Sequence, residues 1–284
     1  MSTKKALTWF GVCVGLALLF NAGIYFFMGS QKAMEFFGGY IIEQSLSLDN
    51  LFLFIMVFTA FGIKEKEQWR VLHWGIVGAV VLRLIFILLG VTIVNKFHWV
   101  LYVFGFILMI SGIKMIVKKE DEEAAANYKD SKVIKVLGKF MPITNELHGD
   151  RFFVRIKKVL YATPLFAILI IIEGSDILFA IDSIPAIFSI TTDPFIVYTS
   201  NLFAIIGLRN LYFVLEKLHT AFRFVKYGVG VILTFTGVKL ALLMIDFEIS
   251  ILMSVVIIFS ILVLSIIASV VIIEEPEDEV DALA

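Results

Sequence analysis

The sequence predicts an all-α integral membrane protein of about eight transmembrane helices, built as two inverted three-helix repeats with one peripheral helix at each end. Three observations predict it. The 284 residues are 60% hydrophobic and 17% charged, against about 45–50% and 25% in soluble domains, and mean hydropathy is +0.96. Apolar runs of spanning length recur along the chain. Short motifs from the first half reappear in the second in the same order. Twenty-eight Phe and 4 Trp suit lipid and its interfaces. The single cysteine, Cys13, excludes a disulfide framework, a CxxC zinc site and an iron–sulfur cluster. A net charge of −1 leaves no basic footprint for nucleic acid. The expected partners are the lipid bilayer and whatever the spans carry.

A spanning helix needs about 20 mainly apolar residues. Eight segments qualify: 6–28, 34–61, 70–94, 97–117, 158–185, 194–216, 225–245 and 249–273. The first is too long for a signal peptide and lacks a small-residue cleavage site, so it is read as a helix. Between the fourth and fifth lies a polar stretch, 118–157, with acids at 120–123 and a basic end from Arg151 to Lys158. It is read as a loop with a surface helix near 131–140. Of the 24 Lys and Arg, 18 fall on the side that holds both termini and this loop. Two, Lys32 and Lys96, fall on the other, and four lie inside spans. Without the long loop the bias is still 8 to 2. The positive-inside rule places both termini in the cytoplasm of a bacterial inner membrane. The acidic tail Glu274–Ala284 is a solvated end.

The repeat is read from three matches. Tyr102, Gly105, Ile107, Leu108, Gly112 and Lys114 recur as Tyr227, Gly230, Ile232, Leu233, Gly237 and Lys239, 125 residues later. Leu82-Arg83-Leu84 resembles Leu208-Arg209-Asn210, and Glu43-x5-Asp49 resembles Asp176-x5-Asp182. Three spans per copy is odd, so the second copy crosses in the opposite sense, a plan common in secondary transporters. The chain divides into an N-terminal helix (1–33), the first repeat (34–117), the loop (118–157), the second repeat (158–245) and a last helix with the tail (246–284).

Glu43, Asp49, Glu173, Asp176 and Asp182 lie inside apolar spans, with Arg83 and Arg209. Each acid costs about 2.5–3.5 kcal/mol at a helix centre on insertion scales, so five ask for a function. Two arginines balance only two of them. With Asn50 and Asn201 the acids form an oxygen-donor set that suits a hard divalent cation such as Mn²⁺, Mg²⁺ or Ca²⁺ better than a soft metal. Arg83 and Arg209 are read as charge partners or gating residues, since cations do not ligate cations. Residues six apart differ by about 240° on a straight helix, so Asp49 and Asp182 reach the common point only if their helices break. Pro185 and Gly174 are the expected break in the second copy, with Gly38 and Gly39 a weaker counterpart in the first. Ligating carboxylates must shed protons, so protons are the expected coupling ion. No phosphate-binding loop is present, and no nucleophile–base constellation accompanies the acids. The chain is read as neither a primary pump nor an enzyme.

The stretches GYIIEQSLSLDN (39–50), EGSDILFAIDSIPA (173–186), TTDPF (191–195), TSNLFA (199–204) and GLR (207–209) resemble the signature of the TerC family. The resemblance runs from about 21 to 264. Glu43, Asp49, Asn50, Glu173, Asp176 and Asp182 match its acidic motifs in full. It implies a LysE-like transporter, with bacterial relatives tied to Mn²⁺ export and metal homeostasis, in a family named for tellurium resistance. Two readings follow. One is a Mn²⁺ exporter working by alternating access with proton exchange. The other is an accessory protein of tellurite resistance or envelope stress that assembles with membrane partners and transports nothing.

Overall fold

The computed structural model describes residues 3–117, 138, 141–144, 146–218 and 224–271; the side chains of Thr3, Asp49, Ala60, Arg209, Lys217 and Leu218 lie outside that description. Eight α-helices make up the described chain: α1 (Thr3–Met28), α2 (Ser30–Phe61), α3 (Glu65–Lys96), α4 (Val100–Val117), α5 (Pro164–Phe188), α6 (Pro194–Leu218), α7 (Val225–Leu242) and α8 (Ile251–Val271). Two short antiparallel strands, β1 (Phe153–Ile156) and β2 (Val159–Ala162), precede α5.

Seven of the eight helices are long and apolar enough to cross a membrane. The eighth segment of the sequence reading, α6, is a continuous helix with an apolar stretch over Pro194–Leu208, followed by Arg209, Glu216 and Lys217. It packs among α1, α2 and α3, so little of it must face lipid. The fifth helix starts at Pro164, not at 158. Val159–Ala162 is apolar enough to read as helix by hydropathy, but it pairs with Phe153–Ile156 instead, and Pro at N1 sets the true start. The surface helix expected near 131–140 lies, Gly138 aside, outside the described residues, as does the acidic tail.

α2 is the innermost helix, with 71% of its apolar window buried against 17% for α1 and for α4. It packs on α6, α1, α5 and α8. Ring contacts run in step along α2 and α6, Phe36 to Phe203 at 6.0 Å and Phe58 to Tyr212 at 5.6 Å, so these two helices are parallel. α3 and α5 are parallel too, with Gly75 against Ile172 and Gly90 against Phe188. α2–α3–α4 and α5–α6–α7 therefore cross in opposite senses.

The α4–α7 contact shows the same symmetry at backbone level. A Cβ on Gly105 would lie 2.9 Å from the Gly237 carbonyl oxygen, and one on Gly112 would lie 2.5 Å from that of Gly230. The repeat pairs Gly105 with Gly230 and Gly112 with Gly237. The two contacts thus exchange under a twofold axis, and the helices are antiparallel.

The expected helix breaks are absent: α2 and α5 are continuous through all five acids. Pro185 falls in the last turn of α5; it deprives the Ile181 carbonyl of its in-helix donor, yet the helix runs on to Phe188. Nothing crowds Gly174, while Gly38 and Gly39 serve close packing. A Cβ on Gly39 would lie 2.7 Å from Ser200 Oγ on α6, and one on Gly38 2.7 Å from Val255 on α8.

Candidate functional site

Glu43 sits midway along α2 and is fully buried, as is Asn201 on α6. Arg83 on α3 is 3% exposed and forms an ion pair with Glu43 through Nη1 and Oε1. The same Nη1 lies 3.2 Å from Ser183 Oγ on α5 and 3.0 Å from Asn201 Oδ1. Asn201 Nδ2 donates to Glu43 Oε2 at 2.9 Å, and Ser47 Oγ to Glu43 Oε1 at 3.1 Å. Four helices, two from each repeat, thus meet at the Glu43–Arg83 pair. The local reason is spacing. Ser47 is one turn beyond Glu43, and Gly39, one turn before it, lets the α2 backbone approach Ser200, next to Asn201.

Asp176 on α5 is 7% exposed and interacts electrostatically with both Arg83 and Glu43. Its Oδ1 has no hydrogen-bond partner among the described residues. It borders a cavity of about 20 Å³ whose other lining includes Leu51, Phe54, Gly75 and Ala79, room for one water-sized occupant. Arg83 Nε is also unpartnered among the described residues, as are Asn50 Oδ1 and both amide atoms of Gln44 elsewhere on α2. Buried polar groups without partners are few in native proteins, and two of them, Asp176 Oδ1 and Arg83 Nε, belong to residues of this charge network.

The remaining predicted residues are dispersed. Glu173 lays its carboxylate on α3, in the space a side chain on Gly78 would need, with Oε2 unpartnered. Asp182 turns away and accepts a hydrogen bond from Ser111 on α4 at 3.0 Å. The side chains of Asp49 and Arg209 lie outside the described residues. Ser45 bonds back to the Ile41 carbonyl at 2.6 Å and takes no part. Among the described residues, no three of His, Cys, Asp and Glu converge as a closed metal cage.

Sequence reasoning passed over Ser183, Gln44 and a second polar cluster nearer the other end of α2. There Lys32 Nζ lies 2.9 Å from Glu35 Oε2 and 2.8 Å from Asp193 Oδ2, and Thr191 Oγ1 donates to Glu35 Oε2 at 2.7 Å. Glu35 is 4% exposed. Burial alone would raise the Asp193 carboxyl, but the Lys32 ammonium and backbone donors outweigh it and hold the group below the ordinary range. The cluster ties α2 to the α5–α6 connection. A buried acid in the first turns of an apolar span was its signal in the sequence.

The fold and this network define a polytopic α-helical membrane protein with ionisable groups clasped between two oppositely running sets of three helices. The family model of the TerC integral membrane proteins matches residues 28–277; the chain belongs to that family. It is 45% identical over 255 residues to a protein of Photorhabdus laumondii named as a candidate membrane-bound redox modulator, Alx, covering 87% of this chain and 78% of the relative. The protein of that name in Escherichia coli strain K12 is 44% identical over 274 residues, 93% of this chain and 84% of its own length. An uncharacterised membrane protein of Myxococcus xanthus, STKORF319, is 43% identical over 240 residues, 84% and 74% of the respective chains. No solved structure matches the chain.

Proposed function

We propose that this protein is a divalent cation transporter of the bacterial cytoplasmic membrane. In this reading it exports Mn²⁺, takes the ion on Glu43 and Asp176, and exchanges it for protons. Glu43 carries the proposal: a fully buried carboxylate on the innermost helix, held from two other helices, with a second carboxylate within electrostatic reach of the same guanidinium. A buried ion pair seldom gains stability over apolar packing of the same volume, so stability alone does not account for it. Arg83 occupies the position of a cation between acids of the two repeats. An arriving ion would displace the guanidinium, and the unpartnered oxygen of Asp176 would join those of Glu43 and Asn201 in an oxygen shell. Glu173, three residues before Asp176, is the staging carboxylate on the side facing the 118–157 loop. The Lys and Arg bias puts that side in the cytoplasm. The reading assigns transport, with no catalytic step.

The test is ⁵⁴Mn²⁺ uptake into inside-out vesicles under an imposed proton gradient. Glu43→Gln and Asp176→Asn should each lower the initial rate by at least about tenfold, the factor that about 1.4 kcal/mol of lost ion stabilisation gives. Normal rates in both variants would remove the site.

The name carried by the Alx relatives favours a second reading, an accessory role in redox homeostasis. One cysteine offers no intrachain dithiol–disulfide couple, so that role would act through partners or through metal supply. Cells lacking the protein separate the two: a raised Mn²⁺ content with normal envelope thiol status supports transport, and the reverse supports the accessory reading.

A further inference from the structure

The β1–β2 ribbon is rooted in the helix bundle at its base. Asp150 pairs with Arg70 of α3 at 2.8 Å, and the Arg70 guanidinium lies over the Phe152 ring at 5.3 Å. Phe153 meets Phe166 of α5 at 4.5 Å between ring centroids. The Thr163 N–H donates to the Phe152 carbonyl at 2.9 Å. Among the described residues, no ion pair or ring contact joins the other end of the ribbon to the bundle. Ile156 stands opposite Val159, and Arg155 opposite Leu160. Ile156 is 38% exposed, Val159 49% and Leu160 46%. By the alternation of strands, Ile156 and Val159 share one face with Val154 and Tyr161, while Leu160 lies on the other. Both faces of the tip are therefore apolar, and a two-stranded ribbon of this kind is marginal in water.

The turn is unusual in its residues. Lys157 has φ 48° and Lys158 has φ 70°, the left-handed pair of a two-residue turn that normally takes Asn-Gly. Two lysines here accept a backbone that side chains avoid. Arg151, Arg155, Lys157 and Lys158 put four cations on the ribbon, and no acid lies between 151 and 163.

Position decides the partner. A single residue, Thr163, separates the end of β2 from the start of α5, so the ribbon stands where the spanning bundle leaves the hydrocarbon. Four residues of strand reach about 13 Å, and the headgroup zone of one leaflet is roughly 5–8 Å deep. We propose that this ribbon seats on the anionic surface of the protein's own bilayer. Ile156, Val159 and Leu160 dip below the headgroups, and Arg155, Lys157 and Lys158 pair with phospholipid phosphates. The long lysine and arginine stems let the charges stay at the phosphate level while the apolar residues go deeper.

The test uses the full chain with Cys13→Ala and Val159→Cys, carrying an NBD fluorophore on the new thiol; Cys13→Ser serves if Cys13→Ala does not fold. The labelled protein is placed in nanodiscs of phosphatidylcholine, with or without phosphatidylglycerol, and with shallow nitroxide lipids as quenchers. In the anionic discs the emission should shift to the blue and be quenched by the nitroxides. In neutral discs most of both effects should vanish. Lys157→Gln/Lys158→Gln should weaken seating by about 25-fold, about fivefold for each lysine. A probe that stays in water in both lipids overturns the proposal. So does a probe that is buried but insensitive to phosphatidylglycerol and to the quenchers, since protein rather than lipid would then cover the ribbon. The readout does not involve transport, so its outcome stands apart from that of the vesicle assay.

Discussion

Arg83 is the residue with most at stake. It is buried, charged under almost any condition, and one of its neighbours on each repeat is an acid. Arg83→Leu would leave Glu43 buried without its counter-charge, a loss of about 3–5 kcal/mol in comparable cases. Glu43→Leu/Arg83→Leu removes both charges and should recover most of that stability, since apolar replacement of a buried pair is often neutral or better. Thermal unfolding of the purified protein in detergent, arranged as a double-mutant cycle, measures the coupling. If the double variant is as unstable as Arg83→Leu alone, the pair is not the interaction that matters at this position. The sequence named Glu43, Arg83 and Asn201 because charged and amide groups are conspicuous in apolar spans. It grouped them by chemistry, as donor set and charge partner, without saying which arginine meets which acid. Glu43 and Arg83 are 40 residues apart, and Glu43 and Asn201 158 apart, and only packing brings such residues together.

At the scale of elements, glycine separates tight helix contacts from loose ones. On α4, a Cβ added to Gly112 would lie 2.4 Å from Thr234 Oγ1 and 2.5 Å from the Gly230 carbonyl oxygen. On α1, a Cβ added to Gly11 or Gly15 would meet nothing within 4 Å among the described residues, so no close helix contact of those residues rests on this pair. Gly112→Ala should therefore destabilise by about 1–3 kcal/mol through overpacking, whereas Gly15→Ala should be neutral or stabilise by up to about 1 kcal/mol through helix propensity. Detergent melting curves of the two single variants give the comparison; equal shifts would mean that α4 and α7 are not held by backbone proximity. The spans themselves were legible, because apolarity over about 20 residues needs no tertiary information. The start of α5 was not: Val159–Ala162 is as apolar as the helix that follows, and periodicity cannot separate strand from helix over four residues. The expected breaks failed for a related reason. Pro185 and Gly174 permit an interruption, and only their depth in the helix and their neighbours decide whether one occurs.

For the whole molecule, the opposed senses of the two helix trios fix which loops share a side. The turn at Lys64, the ribbon tip and the N-terminal end of α1 belong together. Lys96, Asp193 and Glu248 belong to the other face. In a Cys13→Ala background, Lys64→Cys and Lys157→Cys should react with a membrane-impermeant maleimide only in inside-out vesicles. Lys96→Cys and Glu248→Cys should react only in intact spheroplasts. Reaction of Lys64→Cys and Lys96→Cys from the same side would overturn the inverted arrangement. The sequence anticipated this much through the odd number of spans per repeat and the Lys and Arg bias. It missed the clasp of Lys32, Glu35, Thr191 and Asp193, whose members are up to 161 residues apart in the chain.

The reciprocal glycine contacts of α4 and α7 have a mechanical consequence. Backbone resting on backbone has no side chains to swing aside, so neither helix can slide along the other without collision. The interface of α2 and α6 with α3 and α5 is different in kind: it is knit from hydrogen bonds and an ion pair whose partners can be exchanged one at a time. Any rearrangement that opens the buried carboxylates must then leave α4 and α7 travelling as a single axle. The two remaining helix pairs would turn about it, trading hydrogen-bond partners as they go.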